Sequence, residues 1–346
     1  MNLISMRTID WDDAKNNIMM IDQTLLPKEY KIIESNTIDS LCEAISSLRV
    51  RGAPALGAAG GFGVALSAFR SAATSLDKLQ DEMQNAGNTI IATRPTAVNL
   101  SWGVKRVLDS TEDARNIKEV RMFALDEAKA IANEDVEKNK QLGELGADLL
   151  EHGDTVMTHC NAGRLACVDW GTALGVIRSA RAQGKDIKVI SCETRPLNQG
   201  SRITTWELME DKIPVTLITD SMSGHVMRKG MVDKVIVGAD RITQDAVFNK
   251  IGTYTHSVIA KEHEVPFYVA APVSTFDFER LEDEIEIELR KPDELKYFGK
   301  HQIAPLDVNV YNPAFDATPM ENVTAIITEN GVFYPPFLID EVKIKI

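Results

Sequence analysis

One pattern repeats along the chain between residues 154 and 328: a short, largely β-branched apolar run followed by a longer segment of mixed polarity. Segments between most of these runs have helical spacing, and strands that alternate with helices are typical of a parallel, doubly wound sheet. We therefore predict a Rossmann-like domain over residues 146–346. The apolar runs predict six strands, at residues 155–159, 187–192, 214–219, 233–238, 266–271 and 323–328.

Residues 1–145 have a different pattern, dominated by apolar positions three or four residues apart. Helices are expected after the capping residue Thr37, over residues 76–86, from Thr96 onward and over residues 113–151. Gly87 and Asn88 should end the second of these. Runs at 18–21 and 30–33 add two short strands. The predicted fold class is α/β: a mostly helical N-terminal domain with a short β element, followed by the doubly wound domain.

The helix predicted after Arg51 is unusually rich in glycine. Pro54 suits its first turn, where a missing N–H group is no loss. Gly57, Gly60, Gly61 and Gly63 follow closely, and each glycine costs a helix about 1 kcal/mol relative to alanine. Such density indicates either close backbone packing or a bound ligand.

Composition limits the classes of function. The 38 Lys and Arg against 51 Asp and Glu give a net charge of −13, which argues against nucleic acid or an anionic membrane as a partner. The four cysteines are too few for a disulfide framework in 346 residues, and they suit a reducing cytosol. Residues 1–7 lack the features of a signal peptide, and residues 54–69 are too short and glycine-rich to span a bilayer. We expect a cytoplasmic protein.

Common cofactor signatures are missing from the sequence. It contains no phosphate-binding P-loop, no Gly-x-Gly-x-x-Gly after the first strand of the doubly wound part and no His-Glu-x-x-His. Its six histidines and four cysteines do not show paired metal-ligand spacings. We expect neither a metal nor a cofactor.

Reactive and polar residues follow several of the predicted strands. Cys160, Glu193, Gln199 and Asp240 lie just beyond strand ends, and ligands of open parallel sheets bind beyond the carboxyl ends of the strands. Cys160 is a candidate acid–base thiol or a thiol lining the reacting carbon, although a buried structural thiol fits its position as well. His159 is expected to be structural, because neighbouring strand residues point to opposite faces.

Asp240 is a candidate general acid, which would need a pKa raised by burial in an apolar pocket. It could equally cap a helix or pair with Arg241.

Three cations, Arg51, Arg94 and Lys250, lie in loops at predicted helix starts, where phosphate groups bind well. Surface cations without a ligand are the alternative. Gln199 and Asn249 suit the recognition of sugar hydroxyls, or the formation of turns.

Seven segments of the chain form a collinear set of motifs. They are Arg51-Gly-Ala-Pro-Ala-Leu-Gly57, Thr93-Arg-Pro-Thr-Ala-Val-Asn99, Thr158-His-Cys-Asn-Ala-Gly163, Glu193-Thr-Arg-Pro-Leu-Asn-Gln-Gly200, Gly238-Ala-Asp-Arg-Ile242, Asn249-Lys-Ile-Gly-Thr-Tyr254 and Asn312-Pro-Ala-Phe-Asp-Ala-Thr-Pro319. In this order they resemble the methylthioribose-1-phosphate isomerase family, and the resemblance covers nearly the whole chain, from about Ile18 to Pro335. The wider superfamily includes ribose-1,5-bisphosphate isomerases and regulatory subunits of the translation-initiation nucleotide-exchange factor.

The resemblance implies an aldose–ketose isomerase of methionine salvage that acts on 5-methylthioribose 1-phosphate as a homodimer. It implies Cys160 as the catalytic thiol and Asp240 as the catalytic acid. With the N-terminal domain contributing to binding, the site is expected between the two domains. The phosphate and sugar contacts that the resemblance implies are Arg51, Gly52, Ala53, Arg94, Gln199, Asn249 and Lys250.

The chain departs from the family pattern in a shortened loop at residues 243–248, and at Arg164 and Cys167. The C5 substituent of the sugar is therefore the least specified part, and isomerases of 5-deoxyribose 1-phosphate or ribose 1,5-bisphosphate are alternatives. A non-enzymatic regulatory protein of the initiation-factor type is the alternative from another class.

Overall fold

The computed structural model of the protein describes residues 6–95 and 97–337. Its α-helices are α1 (Ile38–Ser46), α2 (Ala53–Arg70), α3 (Leu76–Ala92), α4 (Val98–Ser110), α5 (Ile117–Ala147), α6 (Ala173–Ala182), α7 (Thr205–Glu210), α8 (Ser223–Arg228), α9 (Thr253–Glu262) and α10 (Asp293–Lys296). Its strands are β1 (Ile9–Asp12), β2 (Asn17–Ile21), β3 (Ile32–Ser35), β4 (Thr155–Thr158), β5 (Lys188–Cys192), β6 (Val215–Ile218), β7 (Lys234–Val237), β8 (Arg241–Ile242), β9 (Ala246–Lys250), β10 (Phe267–Ala270), β11 (Tyr297–Phe298), β12 (His301–Gln302), β13 (Phe315–Pro319), β14 (Ala325–Thr328) and β15 (Gly331–Phe333).

The chain divides into two compact units. The first comprises Met1–Gln141 and Ala162–Gly175, and the second comprises Leu142–Asn161 and Val176–Ile346. The division therefore differs from a single boundary at residue 145, because a later segment returns to the first unit. Among the described residues, no helix combines the length and the apolar character that a membrane crossing requires.

The first unit is built around α2. Every residue of this helix from Ala55 to Ala68 is buried, as expected for a helix that is apolar all round. The antiparallel sheet β1–β2–β3 adds a strand, β1, to the two predicted from sequence. The predicted cap of α1 is confirmed, since Ser40 N donates to Thr37 Oγ1 over 3.1 Å. Thr96, the predicted start of the next helix, lies outside the described residues.

Close backbone packing accounts for the glycines of α2. A Cβ atom on Gly60 would lie 2.6 Å from Leu100 O of α4, and one on Gly103 would lie 2.0 Å from Gly57 O. Backbones this close leave no room for side chains at the crossing. Of the two explanations left open by the sequence, the structure therefore favours packing.

The predicted end of α3 at Gly87 is wrong. The helix continues to Ala92, with Gly87 buried in its interior. A Cβ atom at Gly87 would lie only 2.7 Å from Val104 Cγ1, so this glycine serves helix packing and does not end the helix.

The second unit contains a seven-stranded sheet in the order β15-β14-β10-β7-β4-β5-β6. All neighbours are parallel except the edge pair β14–β15. From β4 the chain moves outward through β5 and β6 on one side, and through β7, β10 and β14 on the other. This order is that of a doubly wound sheet, with its topological switch point between β4 and β7. The predicted fold class is confirmed.

A smaller antiparallel sheet, β13–β9–β8, interrupts the alternation of strands and helices. It follows β7 directly and holds Asn249 and Lys250 on β9, opposite Asp316 and Phe315 of β13. The sequence analysis did not predict this sheet, because its strands are short and partly polar.

Candidate functional site

Cys160 and Asp240 follow neighbouring strands at the switch point. Met157 of β4 is in register with Val235 of β7, and the two strands end at Thr158 and Val237. The loops that carry both residues therefore leave the same edge of the sheet, where an open α/β sheet binds its ligand.

The backbone at Cys160 is held in an uncommon conformation. Its φ is +65°, in the left-handed region that non-glycine residues rarely adopt, and the residue is buried. Cys160 N donates to Thr194 Oγ1 over 2.8 Å, and Cys160 O accepts from Thr204 Oγ1 over 2.6 Å. Both backbone groups of the strained residue are thus fixed by side chains that follow β5.

Thr194 is itself strained. It is fully buried, with a φ of +66°, which is unusual for a β-branched residue. Its N–H donates to Asp220 Oδ1 over 2.8 Å. Strain of this kind clusters at functional sites, where surrounding contacts maintain it. Thr194, Thr204 and Asp220 were missed by the sequence analysis, because only the folded backbone shows that they support Cys160.

The neighbouring Asn161 is fixed by a buried polar network. Asn161 Nδ2 donates to Thr204 Oγ1 over 3.1 Å and to Glu207 Oε1 over 2.9 Å. Glu207 is paired with the buried guanidinium of Arg178 over 2.8 Å. The loop after β4 is therefore anchored to α7 through Asn161.

Asp240 is exposed, so the free protein does not give it the apolar burial expected of a general acid. The helix-cap interpretation is wrong, because a β-hairpin follows Asp240, whose N–H donates to Phe248 O over 2.9 Å. The neighbouring Arg241 pairs with Asp277 over 2.7 Å. Asp240 is thus positioned by the β8–β9 hairpin.

Gln199 and Asn249 are buried, each with 5% of its surface exposed. Gln199 Oε1 and Asn249 Nδ2 nevertheless have no hydrogen-bond partner among the described residues. A buried polar atom without a partner costs about 1–3 kcal/mol, and in a candidate site such an atom is available to a ligand. Glu193 lies half-buried in the same post-β5 segment as Gln199.

Lys250 ends β9 and does not lie in a loop at the helix start as predicted. Its Nζ donates to Ala314 O over 2.8 Å and lies 4.5 Å from the ring centroid of Phe315. The nearby carboxylate of Asp316 accepts from Gly252 N and Tyr254 N, over 2.7 and 3.1 Å. Burial raises the pKa of Asp316 to about 6 despite these two donors.

The remaining predicted contacts belong to the first unit. Gly52 precedes α2 with a φ of +96°, and a Cβ atom there would lie 2.2 Å from Ala166 O. Ala53 is the first residue of this long helix, whose N-terminus no side chain caps. Arg51 is half-buried and its Nε donates to Gln23 Oε1 over 3.4 Å. Arg94, also half-buried, follows α3. The N-terminus of a long helix is a position suited to an anion.

His159 does not form a dyad with Cys160. It is buried, its Nε2 donates to Ile251 O over 2.9 Å, and its Nδ1 lies 3.2 Å from His256 Nε2. Burial lowers the pKa of His159 to about 4, so the ring is neutral at physiological pH. Both ring nitrogens are engaged with groups other than the thiol.

Comparison with known proteins gives consistent matches over almost the whole chain. A relative from Heliobacterium modesticaldum, named methylthioribose-1-phosphate isomerase, is 50% identical over 96% of this chain and 97% of its own. The crystal structure of 5-methylthioribose 1-phosphate isomerase from Pyrococcus horikoshii matches with a TM-score of 0.92, at 42% identity over 98% of this chain and 96% of that one.

A second solved structure that matches this chain has a different name. The crystal structure of "translation initiation factor eIF-2B, subunit delta" from A. fulgidus matches with a TM-score of 0.90, at 59% identity over 99% of both chains. The pattern of the initiation factor 2 subunit family matches residues 49–335. The resemblance inferred from the seven segments is confirmed, and the chain belongs to the initiation factor 2 subunit family, whose members similar to this chain include methylthioribose-1-phosphate isomerases.

Proposed function

We propose that the protein is an aldose–ketose isomerase that converts 5-methylthioribose 1-phosphate to 5-methylthioribulose 1-phosphate, a step of methionine salvage. The observation that carries the proposal is the pair of buried, unpartnered atoms Gln199 Oε1 and Asn249 Nδ2. One accepts and the other donates a hydrogen bond, and a sugar hydroxyl can do both. The relatives named as isomerases support the same reaction class.

The phosphate on the anomeric oxygen blocks spontaneous opening of the sugar ring, so the enzyme has to open it. Asp240, protonated, donates its proton to the ring oxygen. Because Asp240 is exposed in the free protein, the bound sugar must remove water from around the carboxyl group to raise its pKa. Arg51, Arg94 and Lys250 bind the phosphate, with the backbone at Gly52 and Ala53.

Hydrogen then moves from C2 to C1 of the opened sugar, which oxidises C2 and reduces C1 within one molecule. Two routes are consistent with Cys160 at this site. In the first, Cys160 assists a proton transfer through an enolate-like intermediate. In the second, a hydride shifts directly in a dry pocket that Cys160 lines.

Replacing Asp240 with Asn tests the assignment of the acid. Turnover should be lost, by about 10²-fold or more, while the dissociation constant for substrate measured by calorimetry stays nearly unchanged. Asp245→Asn is the matched control, because Asp245 is an exposed aspartate of the same hairpin. An active Asp240→Asn enzyme would show that another group opens the ring.

Substrate deuterated at C2 distinguishes the two routes. Incorporation of solvent hydrogen at C1 supports the proton route, and complete retention of the label supports the hydride shift. A Cys160→Ala enzyme that still exchanges the C2 label with solvent at the wild-type rate would show that the thiol takes no part in the hydrogen transfer.

The name of the A. fulgidus structure favours a second candidate, a regulatory protein of the initiation-factor type. Affinity capture of translation factors, together with no turnover of any sugar phosphate, would establish that function. Side-by-side turnover of the 1-phosphates of methylthioribose, 5-deoxyribose and ribose, and of ribose 1,5-bisphosphate, determines the preferred C5 substituent.

A further inference from the structure

Four potential metal ligands from separate parts of the second unit meet beneath the loop that carries Cys160. They are His159 after β4, Cys192 at the end of β5, Asp220 after β6 and His256 on α9. One ligand atom from each lies within 4.8 Å of the other three. The two histidines and the cysteine are buried, and Asp220 is partly buried.

The spacing of these atoms fits a tetrahedral site. His159 Nδ1 lies 3.2 Å from His256 Nε2 and 3.7 Å from Asp220 Oδ1. Metal–nitrogen bonds of about 2.0–2.1 Å at tetrahedral angles separate neighbouring ligand atoms by roughly 3.3–3.4 Å. The two measured separations are thus close to the tetrahedral values, and none of the others exceeds 4.8 Å, so side-chain rotations can bring the four atoms around one ion.

The surroundings orient two of the ligands. His159 Nε2 donates to Ile251 O, which leaves Nδ1 with its lone pair directed at the cluster. Asp220 accepts from Thr194 N on Oδ1 and from Arg195 N on Oδ2, over 2.8 and 2.7 Å. Hydrogen bonds from a metal ligand to a backbone carbonyl or N–H are typical of metal sites, where they fix the ligand's tautomer and direction.

Charge balance favours a divalent ion. Cysteine bonds to a metal ion as the thiolate, and the thiol proton passes to solvent. The thiolate and the Asp220 carboxylate then neutralise the two positive charges, which avoids an uncompensated charge in the interior.

We propose that His159, Cys192, Asp220 and His256 form a closed, structural Zn²⁺ site. Four protein ligands leave no open position for substrate, as in structural zinc sites. The ion joins the ends of β4 and β5 to the segment after β6 and to α9. Sequence spacing gave no sign of it, because the ligands come singly from distant segments and meet only in the fold.

The test begins with the wild-type chain. Protein purified without chelator should contain stoichiometric zinc by mass spectrometry. After removal of the metal, titration with Co²⁺ should produce the intense visible bands of tetrahedral cobalt and the near-ultraviolet band of a cobalt–thiolate bond, with a rise in Tm. Zinc-free protein that shows no cobalt–thiolate band overturns the proposal without the need for any variant.

Matched variants locate the ion. Cys192→Ser should abolish the cobalt–thiolate band, and His256→Gln should weaken Co²⁺ binding by at least about 10-fold. Cys42→Ser and His225→Gln, at a half-buried cysteine and an exposed histidine, should leave the spectrum unchanged. A spectrum that survives both Cys192→Ser and His256→Gln would show that the metal binds elsewhere.

Discussion

At the scale of single residues, several polar groups at the candidate site are held in states that lower stability. Cys160 and Thr194 both have φ values near +65°, and one hydrogen bond joins them. Asn249 is buried with an unpartnered Nδ2. Each feature lowers stability by about 1–3 kcal/mol. Stability lost in this way should be recoverable by substitution, at the expense of ligand binding.

Asn249→Leu should therefore give a Tm equal to or above that of the wild type, because it removes a buried donor that has no acceptor. The same change should lower kcat/KM by roughly 10–100-fold through the loss of a sugar contact. Differential scanning calorimetry and steady-state kinetics measure the two effects.

The control for this variant is Asn312→Leu. Asn312 is equally buried, but its Nδ2 donates to Lys291 O and Glu294 Oε2, so its removal should lower Tm. A loss of Tm in Asn249→Leu as large as that in Asn312→Leu would contradict the interpretation.

At this scale, the sequence was sufficient to predict candidate residues but not the residues that hold them in position. Cys160 and Asp240 could be predicted from the sequence because each follows a predicted strand. Thr194 and His256 could not, because their roles depend on contacts with residues 34 and 97 positions away. The expected burial of Asp240 was not found, since exposure depends on the surrounding fold.

At the scale of elements, the close crossing of α2 and α4 is the most demanding contact in the first unit. Gly103→Ala should destabilise the protein by about 1–3 kcal/mol or more, because the added Cβ would lie 2.0 Å from Gly57 O, and backbone cannot move aside as a side chain can. Chemical denaturation measures the change.

Gly224→Ala is the matched control for that substitution. Gly224 also lies in a helix, but a Cβ atom there meets only Ile259, at 3.7 Å, which is ordinary contact. Its replacement should be neutral or stabilise by up to about 1 kcal/mol. Equal destabilisation by both variants would show that helix propensity, and not the crossing, governs the effect.

The elements themselves were predictable to different degrees. All six strands of the parallel part were found within a residue or two, because parallel strands are buried on both faces and form continuous apolar runs. The strands β1, β8, β9, β11, β12, β13 and β15 were missed, since short antiparallel strands have mixed polarity. The end of α3 was wrong because a buried glycine and a terminal glycine look alike in sequence.

At the scale of the whole molecule, the first unit is assembled from two stretches that lie apart in the chain. The later stretch is fastened to the earlier one by backbone groups: Thr8 N donates to Val168 O over 2.9 Å, and Val168 N donates to Asp135 Oδ2 over 2.7 Å. Burial raises the pKa of Asp135 to about 7, from an ordinary value of 3.8.

This shift predicts a pH dependence of stability. Between pH 3.8 and about 7, the folded state keeps a proton on Asp135 that the unfolded state has released. The contribution of this proton to the free energy of unfolding is therefore complete below pH 3.8 and is lost as the pH rises through about 7. Asp135→Asn keeps an acceptor for Val168 N but cannot ionise. Thermal melts should show a Tm for the variant that increasingly exceeds that of the wild type as the pH rises from 3.8 to about 7, with a constant difference above that range.

The exposed Asp126, also on α5, provides the control. The difference in Tm between Asp126→Asn and the wild type should stay constant over the same range of pH. If the Asp135→Asn difference is equally constant, the carboxyl group titrates in the folded protein as it does in the unfolded chain.

The return of Ala162–Gly175 to the first unit has a consequence for synthesis on the ribosome. Val168 belongs to the first unit's apolar core, so that core cannot close when residue 141 emerges. Translation must continue through β4 before Ala162–Gly175 is made. β4 remains without its neighbouring strands until β5 and β7 have been synthesised. The nascent chain therefore cannot complete its N-terminal unit before it begins the next, and both remain exposed to chaperones during the same interval of elongation.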